Sequence, residues 1–196
     1  MKHSKTPPIK NAREKILDAA ANLFYEHGIT ATGIDTIVKK ANVAKKSLYN
    51  NFASKADLIT QYIDIRHQEW LNLYEKRLSH ANTSVEKILA VFDAYIDHAE
   101  RGYDHGFRGC GLLNAAAELP ANAPGRKIVK NHKETIEKLL YDHLCECSDY
   151  NRSQADILAK HLSFLLEGAI TRSGLAGNSD LIIQAKQIAI SLLDQS

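Results

Sequence analysis

Only four prolines and ten glycines interrupt these 196 residues, and β-branched residues rarely alternate with polar ones. That scarcity excludes a fold of many short strands and tight turns. Ala, Leu, Ile, Lys and Glu instead recur three and four apart, the spacing of amphipathic helices, so an all-α fold of about nine helices is expected. Three cysteines, Cys110, Cys145 and Cys147, are an odd number without framework spacing, which excludes a disulfide scaffold and suits a reducing cytoplasm. No apolar run approaches the roughly 20 residues a membrane span needs. The opening M-K-H-S-K-T-P-P also lacks the apolar stretch of a secretion signal. Enzyme motifs are missing as well: there is no H-E-x-x-H, no Glu-x-x-His pair, no G-x-S-x-G and no P-loop. The stretch G-F-R-G-C-G at 106–111 mimics a glycine fingerprint without a strand before it. No catalysis and no cofactor are expected.

What is present is a charge asymmetry that the net charge of +2 conceals. Residues 1–60 carry 10 Lys+Arg against 5 Asp+Glu, whereas residues 61–196 carry 15 against 18. Basic charge is gathered where phosphate binding would need it, and the larger remainder has no electrostatic reason to touch nucleic acid. With 44% hydrophobic residues the chain can bury a sizeable core. Two domains are expected, 1–53 and 54–196.

Within the first, Ile16, Ala20, Leu23 and Phe24 mark a helix from about Asn11 to His27 that stops at Gly28. Thr32 is expected to cap a second helix, whose buried stripe is Ile34, Ile37, Val38 and Ala41. After a turn at Ala41-Asn42-Val43, a third helix turns Val43, Leu48 and Phe52 inward. Its other residues, Lys45, Lys46, Ser47, Tyr49 and Asn50, then face outward. The run from Thr32 to Lys55 holds five lysines and no acid after Asp35, so it reads as a helix-turn-helix on double-stranded DNA. Lys45, Lys46 and Ser47 suit base edges in the major groove, and Thr32, Tyr49, Asn50 and Lys55 suit phosphates. An ordinary solvated face of a small bundle would also be rich in lysine, but it would not need the turn.

These stretches, A-R-E-K-I-L-D-A-A-A-N-L-F-Y-E-H-G-I-T-A-T and I-D-T-I-V-K-K-A-N-V-A-K-K-S-L-Y-N-N-F-A-S-K-A-D-L, resemble the DNA-binding domain of the TetR/AcrR family of bacterial transcriptional regulators. The resemblance covers residues 11–58. It implies a homodimeric repressor on a palindromic operator and a helical C-terminal domain for a small-molecule effector and the second subunit. Two positions depart from the family pattern. Asn42 replaces the usual glycine and tolerates a left-handed backbone. Ala44 replaces the usual Ser or Thr cap, which costs about 1 kcal/mol and removes a hydroxyl from the phosphate side.

In the second domain, helices are expected at about 54–79, 83–101, 111–119, 124–147, 153–176 and 180–193, with Thr83 and Glu86 forming a capping box. The first of these is the natural lever into the DNA-binding domain. The last two are apolar on more than one face, so one side serves the core and the other a second copy or more core. R-G-C-G-L-L-N-A-A-A-E-L at 108–119 resembles a segment of one TetR branch. Cys110, Asn114 and Glu118 are spaced for one helical face and are candidate effector contacts, with Trp70, Tyr74, Tyr95, His161 and Phe164. In some relatives the equivalent cysteine senses electrophiles or oxidants, and Arg108 is near in sequence. The other reading of Cys110 is a small buried hydrophobe. His143, Cys145 and Cys147 bring metal-ligating types together, but a spacing of two scatters them around a helix, so no metal site is expected. A ligand-independent DNA-binding protein remains the second alternative.

Overall fold

The structure, a computed structural model, describes residues 10–194. The opening M-K-H-S-K-T-P-P, which bears on the secretion-signal reading, lies outside the described residues. Among the described residues every regular element is an α-helix and no strand forms. None of these helices is long and apolar enough to cross a membrane. The chain divides into two compact units between Tyr62 and Ile63.

The first unit contains α1 (Ala12–His27), α2 (Ile34–Ala41), α3 (Lys45–Asn51) and the opening turns of α4 (Lys55–Leu78). Asn11 starts α1 with a capping box: its side chain accepts from the Glu14 N–H, and Glu14 accepts from the Asn11 N–H. Such a cap is worth about 1 kcal/mol. Gly28 ends the helix at φ 86°, where a side chain would be strained. Ile16, Ala20, Leu23, Phe24, Ile37, Leu48 and Phe52 are all buried, and α1 packs on α2 and α3. The Phe24 and Tyr62 rings meet edge-on at 5.3 Å.

The helix-turn-helix forms for the reasons its residues suggest, with one exception. Asn42 takes the left-handed conformation at φ 52° and ψ 52°, and its N–H caps the end of α2. Ala44 stands at the N-cap of α3 with no side-chain hydrogen bond, as its missing hydroxyl requires. The exception is Thr32. Gly33 is the N-cap of α2, and the Thr32 hydroxyl donates inward to the carbonyls of Leu23 and Gly28 instead.

The second unit holds the rest of α4, α5 (Ser84–Ala99), α6 (Gly111–Ala117), α7 (Pro124–Cys145), α8 (Arg152–Ala176) and α9 (Asp180–Asp194). α5 packs on α7 and α9, α7 on α8, and α8 on α9. Phe92, Ile88, Ile136, Leu140, Leu162, Leu166 and Ile182 fill the space between them. The expected Thr83–Glu86 capping box starts α5, and a second box, Asn151 with Gln154, starts α8. Between α5 and α6 the chain runs without helix, through Gly102, Gly106 and Gly109, all at positive φ. This coil crosses α8 closely: a Cβ on Gly174 would lie 2.5 Å from the Gly109 nitrogen. Only glycine fits there.

Candidate nucleic-acid interface and interior cavity

The surface of α3 follows from its buried side. Leu48 and Phe52 are fully enclosed, which turns Lys45, Lys46, Tyr49 and Asn50 into solvent and leaves Ser47 half-buried. The helix carries no acidic residue. Lys45 reaches back to α2, where the Asp35 carboxylate accepts from its ammonium at 2.8 Å and raises its pKa. Lys39 and Lys40 add exposed charge at the end of α2. Lys55 begins α4 half-buried, and its ammonium donates to the Thr30 carbonyl at 3.3 Å. Thr32 is the correction: only 3% exposed, with its hydroxyl committed to two interior carbonyls, it has no side-chain donor to offer a phosphate. An outward-facing basic helix on a helix-turn-helix frame can lie in a DNA major groove.

The effector candidates separate into two groups. Trp70, Tyr74, Tyr95 and Cys110 are buried in the second unit. Trp70 stacks on Tyr74 with centroids 5.6 Å apart and meets Tyr95 at 5.2 Å. The Tyr74 hydroxyl lies 2.6 Å from His143 Nε2, and burial pushes its pKa up to about 12. Glu118, His161 and Phe164 lie elsewhere, and Asn114 shares with Cys110 only an open groove on the far side of the thiol. α6 is only seven residues long, so Cys110 and Glu118 are its two caps and not points on one face. Asn114 is exposed and donates to the Arg108 carbonyl. His161 and Phe164 point out of α8 into solvent, Phe164 at 68% exposure.

Around the buried four, the structure adds groups that periodicity alone did not single out. Arg66, one turn before Trp70, donates to Glu69 at 2.7 Å, and Arg101 donates to the same carboxylate at 2.9 Å. His132 meets Trp70 edge-on, and its Nδ1 lies 2.7 Å from His67 Nδ1, one ring donating and the other accepting. Burial, with help from nearby cations, depresses His98 to about 3 and His132 to about 2, so both are neutral. Lys133 donates to Glu167 at 2.7 Å and to Cys110 Sγ at 3.6 Å, and lies 5.6 Å from the Tyr95 ring centre. Its pKa is raised: burial opposes its charge, but Cys110, Tyr95 and Glu167 outweigh that. A charged residue in the stripe Arg66, Trp70, Tyr74 was the available sequence signal.

The space among Arg66, Trp70, Tyr95, His98 and His132 is small, about 10 Å³. On the other side of Cys110 an open groove of about 280 Å³ runs between Arg108 and Leu175. Among the described residues no three His, Cys, Asp or Glu side chains are placed to hold a metal. His143 is taken up by Tyr74, Cys147 Sγ contacts the His143 carbonyl, and Cys145 is exposed.

A basic helix-turn-helix joined to a separate helical unit defines a DNA-binding transcriptional regulator. Residues 16–62 match the family described as bacterial regulatory proteins, tetR family. The chain is 27% identical over 147 residues to the HTH-type transcriptional repressor ComR of Escherichia coli K12, covering 74% of this chain and 70% of ComR. Similarity to the regulator QacR of Staphylococcus aureus is 32% over 77 residues, covering 39% of this chain and 41% of QacR. A TetR-family regulator from Streptomyces coelicolor superimposes with a TM-score of 0.80 at 27% identity, over 92% of both chains. Residues 16–62 carry the tetR-family match, and over most of its length the chain is similar to TetR-family transcriptional regulators.

Proposed function

We propose that this chain is a dimeric repressor, most plainly read from the exposed face of α3, where Lys45, Lys46, Tyr49 and Asn50 stand together without an acid. Lys45, Lys46 and Ser47 read base edges of the operator. Tyr49, Asn50 and Lys55 hold phosphates, which fix register without reading sequence. The site residues and the division of domains near residue 53 belong to this reading, as does a cytoplasmic location. No catalytic step forms part of it.

A second copy docks on the last two helices. Ile157, Phe164, Leu175, Ile183 and Ile188 are exposed apolar side chains of α8 and α9, and Phe164 and Ile188 line one groove of about 260 Å³. Pairing them by a two-fold axis removes them from water and sets two recognition helices on half-sites about 34–36 Å apart. A small-molecule effector binding in the second unit releases the operator, and tenfold release needs about 1.4 kcal/mol of coupling.

The test is selection of duplexes from a random DNA pool by the full chain, followed by titration of the selected site in rising salt. A palindromic consensus with a steep salt dependence is expected. Recovery of no consensus, or binding indifferent to salt, would falsify the reading. Light scattering at micromolar concentration checks the dimer, which a monomeric mass would sink.

Lys133 beside Cys110 favours a second reading, in which the thiol itself is the sensor. Lys133 Nζ lies 3.6 Å from Cys110 Sγ, and the groove beyond Cys110 gives an electrophile a way in. On this reading Cys110→Ser keeps DNA binding and abolishes release by N-ethylmaleimide. Unchanged release in that variant removes it.

A further inference from the structure

The recognition helix α3 is short and weakly started. It spans seven residues, and its N-cap, Ala44, makes no side-chain hydrogen bond. A helix of that length does not hold itself in water, so its place is set by what its ends are tied to. At its start the exposed ion pair of Asp35 with Lys45 contributes little. Its end is held from two sides. Phe52, the C-cap, is 1% exposed, and the Arg13 guanidinium of α1 lies 5.7 Å from its ring centre. Arg13 Nη2 donates to Gln61 Oε1, Gln61 Nε2 donates to Asp57 Oδ1 at 2.9 Å, and Asp57 Oδ2 accepts from the Ala53 N–H at 2.9 Å. The Ser54 hydroxyl oxygen in turn accepts from the Asp57 N–H at 3.1 Å. One line of hydrogen bonds therefore runs from the first turn of α1, through α4, to the residue after the α3 cap, and all of it lies within the first unit.

The residue types suit their places. The Gln61 amide accepts and donates at once, whereas a glutamate would only accept and a hydrocarbon would do neither. A planar guanidinium can cover a ring and donate sideways in one pose, which a flexible ammonium does not reproduce. The bonds from Gln61 and then from Ala53 hold the Asp57 carboxyl below its usual range, so it accepts from both at neutral pH. We propose that Arg13 and Gln61 are positioning residues for operator recognition: they fix the end of α3 from α1 and α4, and so aim Lys45, Lys46 and Ser47 without contacting DNA themselves. The proposal rests on α3 as the helix that reads the operator and adds the residues that hold it there.

The experiment measures the full chain, as wild type, Arg13→Lys, Gln61→Met and the double variant, on the duplex selected from the random pool and on a duplex of scrambled sequence. Arg13→Lys keeps its positive charge and Gln61→Met changes none, so a phosphate-holding role would leave both affinities nearly as they are. Positioning predicts that the ratio of the two affinities falls about fivefold or more in each single variant, with the salt slope on the scrambled duplex unchanged. The double variant should lose no more than the larger single loss, because both residues act through one line of bonds. Thermal melts check that each variant is folded at the binding temperature, and partial unfolding alone would lower both affinities together and leave the ratio as it was. If Arg13→Lys does not fold, Gln61→Met carries the test. Amide exchange of residues 48–53 is followed in the same proteins and is expected to quicken about threefold or more. A wild-type ratio in either folded variant, or losses that multiply in the double variant, overturns the proposal. A pool that yields no operator sinks the DNA reading by itself; unchanged amide exchange over 48–53 then overturns the hold on α3, and quickened exchange in both variants upholds it.

Discussion

Asp35 Oδ1 lies 2.8 Å from Lys45 Nζ, an exposed ion pair that joins α2 to the first residue of the recognition helix. On free protein such a pair contributes little to stability. On DNA it competes with phosphate and base acceptors for the same ammonium. Asp35→Asn is therefore expected to tighten DNA binding roughly threefold at low salt and to steepen the salt slope by up to about 0.9. Anisotropy titrations at several salt concentrations check this, and an unchanged slope would mean that Lys45 makes no phosphate or base contact.

Lys46 and Lys55 differ in surroundings and so in expected effect. Lys46 is exposed in the first turn of α3, whereas Lys55 is half-buried and tied to the Thr30 carbonyl. Lys46→Ala should change preference among operator variants by about 1–3 kcal/mol at one position. Lys55→Ala should weaken all duplexes alike. Uniform weakening by Lys46→Ala would remove its base-reading role.

Two buried neutral histidines make stability depend on acid. His98 and His132 have folded values of about 3 and 2, below the value of about 6.5 for an unfolded chain. Below that value the unfolded state binds more protons, so stability rises with pH up to about 6.5 and is lost on acidification. At pH 5 each histidine costs roughly 2 kcal/mol relative to pH 7. Thermal melts between pH 7 and 5 should fall in Tm, and His98→Gln should flatten the fall. An equal fall in that variant would place the acid sensitivity elsewhere.

Much of the first unit is legible in its residues because each signal there is local. The Asn42 turn, the uncapped start at Ala44 and the enclosed Leu48 and Phe52 follow from backbone preference and helical spacing. Thr32 misled because a threonine before an apolar run resembles a cap, while two interior carbonyls, Leu23 and Gly28, take its hydroxyl and Gly33 caps the helix. In the second unit the local signals run out. Cys110, Asn114 and Glu118 have helical spacing, but α6 ends at Ala117, so a periodic match was longer than the helix. Phe164 resembles a core aromatic until its helix is packed and it is left outside. His132 gains its meaning only from His67 and Trp70, dozens of residues away.

The contact of Gly109 with Gly174 yields a stability test. A methyl group at 174 would collide with backbone atoms 2.5 and 2.6 Å away, which cannot swing aside as a side-chain tip can. Gly174→Ala should cost about 1–3 kcal/mol and shift the coil that carries Cys110. Denaturant melts measure the first effect, and the rate of Cys110 alkylation by N-ethylmaleimide measures the second. A wild-type melt for Gly174→Ala would show that the coil does not rest on α8 at this point.

The same crossing also bears on how the sequence can change over time. At position 109 the backbone has a left-handed turn that only glycine takes easily, and at 174 there is no room for a single added carbon. Neither position can drift while the other stays, and neither can rescue the other. The link between the cysteine-bearing coil and α8 is inherited whole or lost.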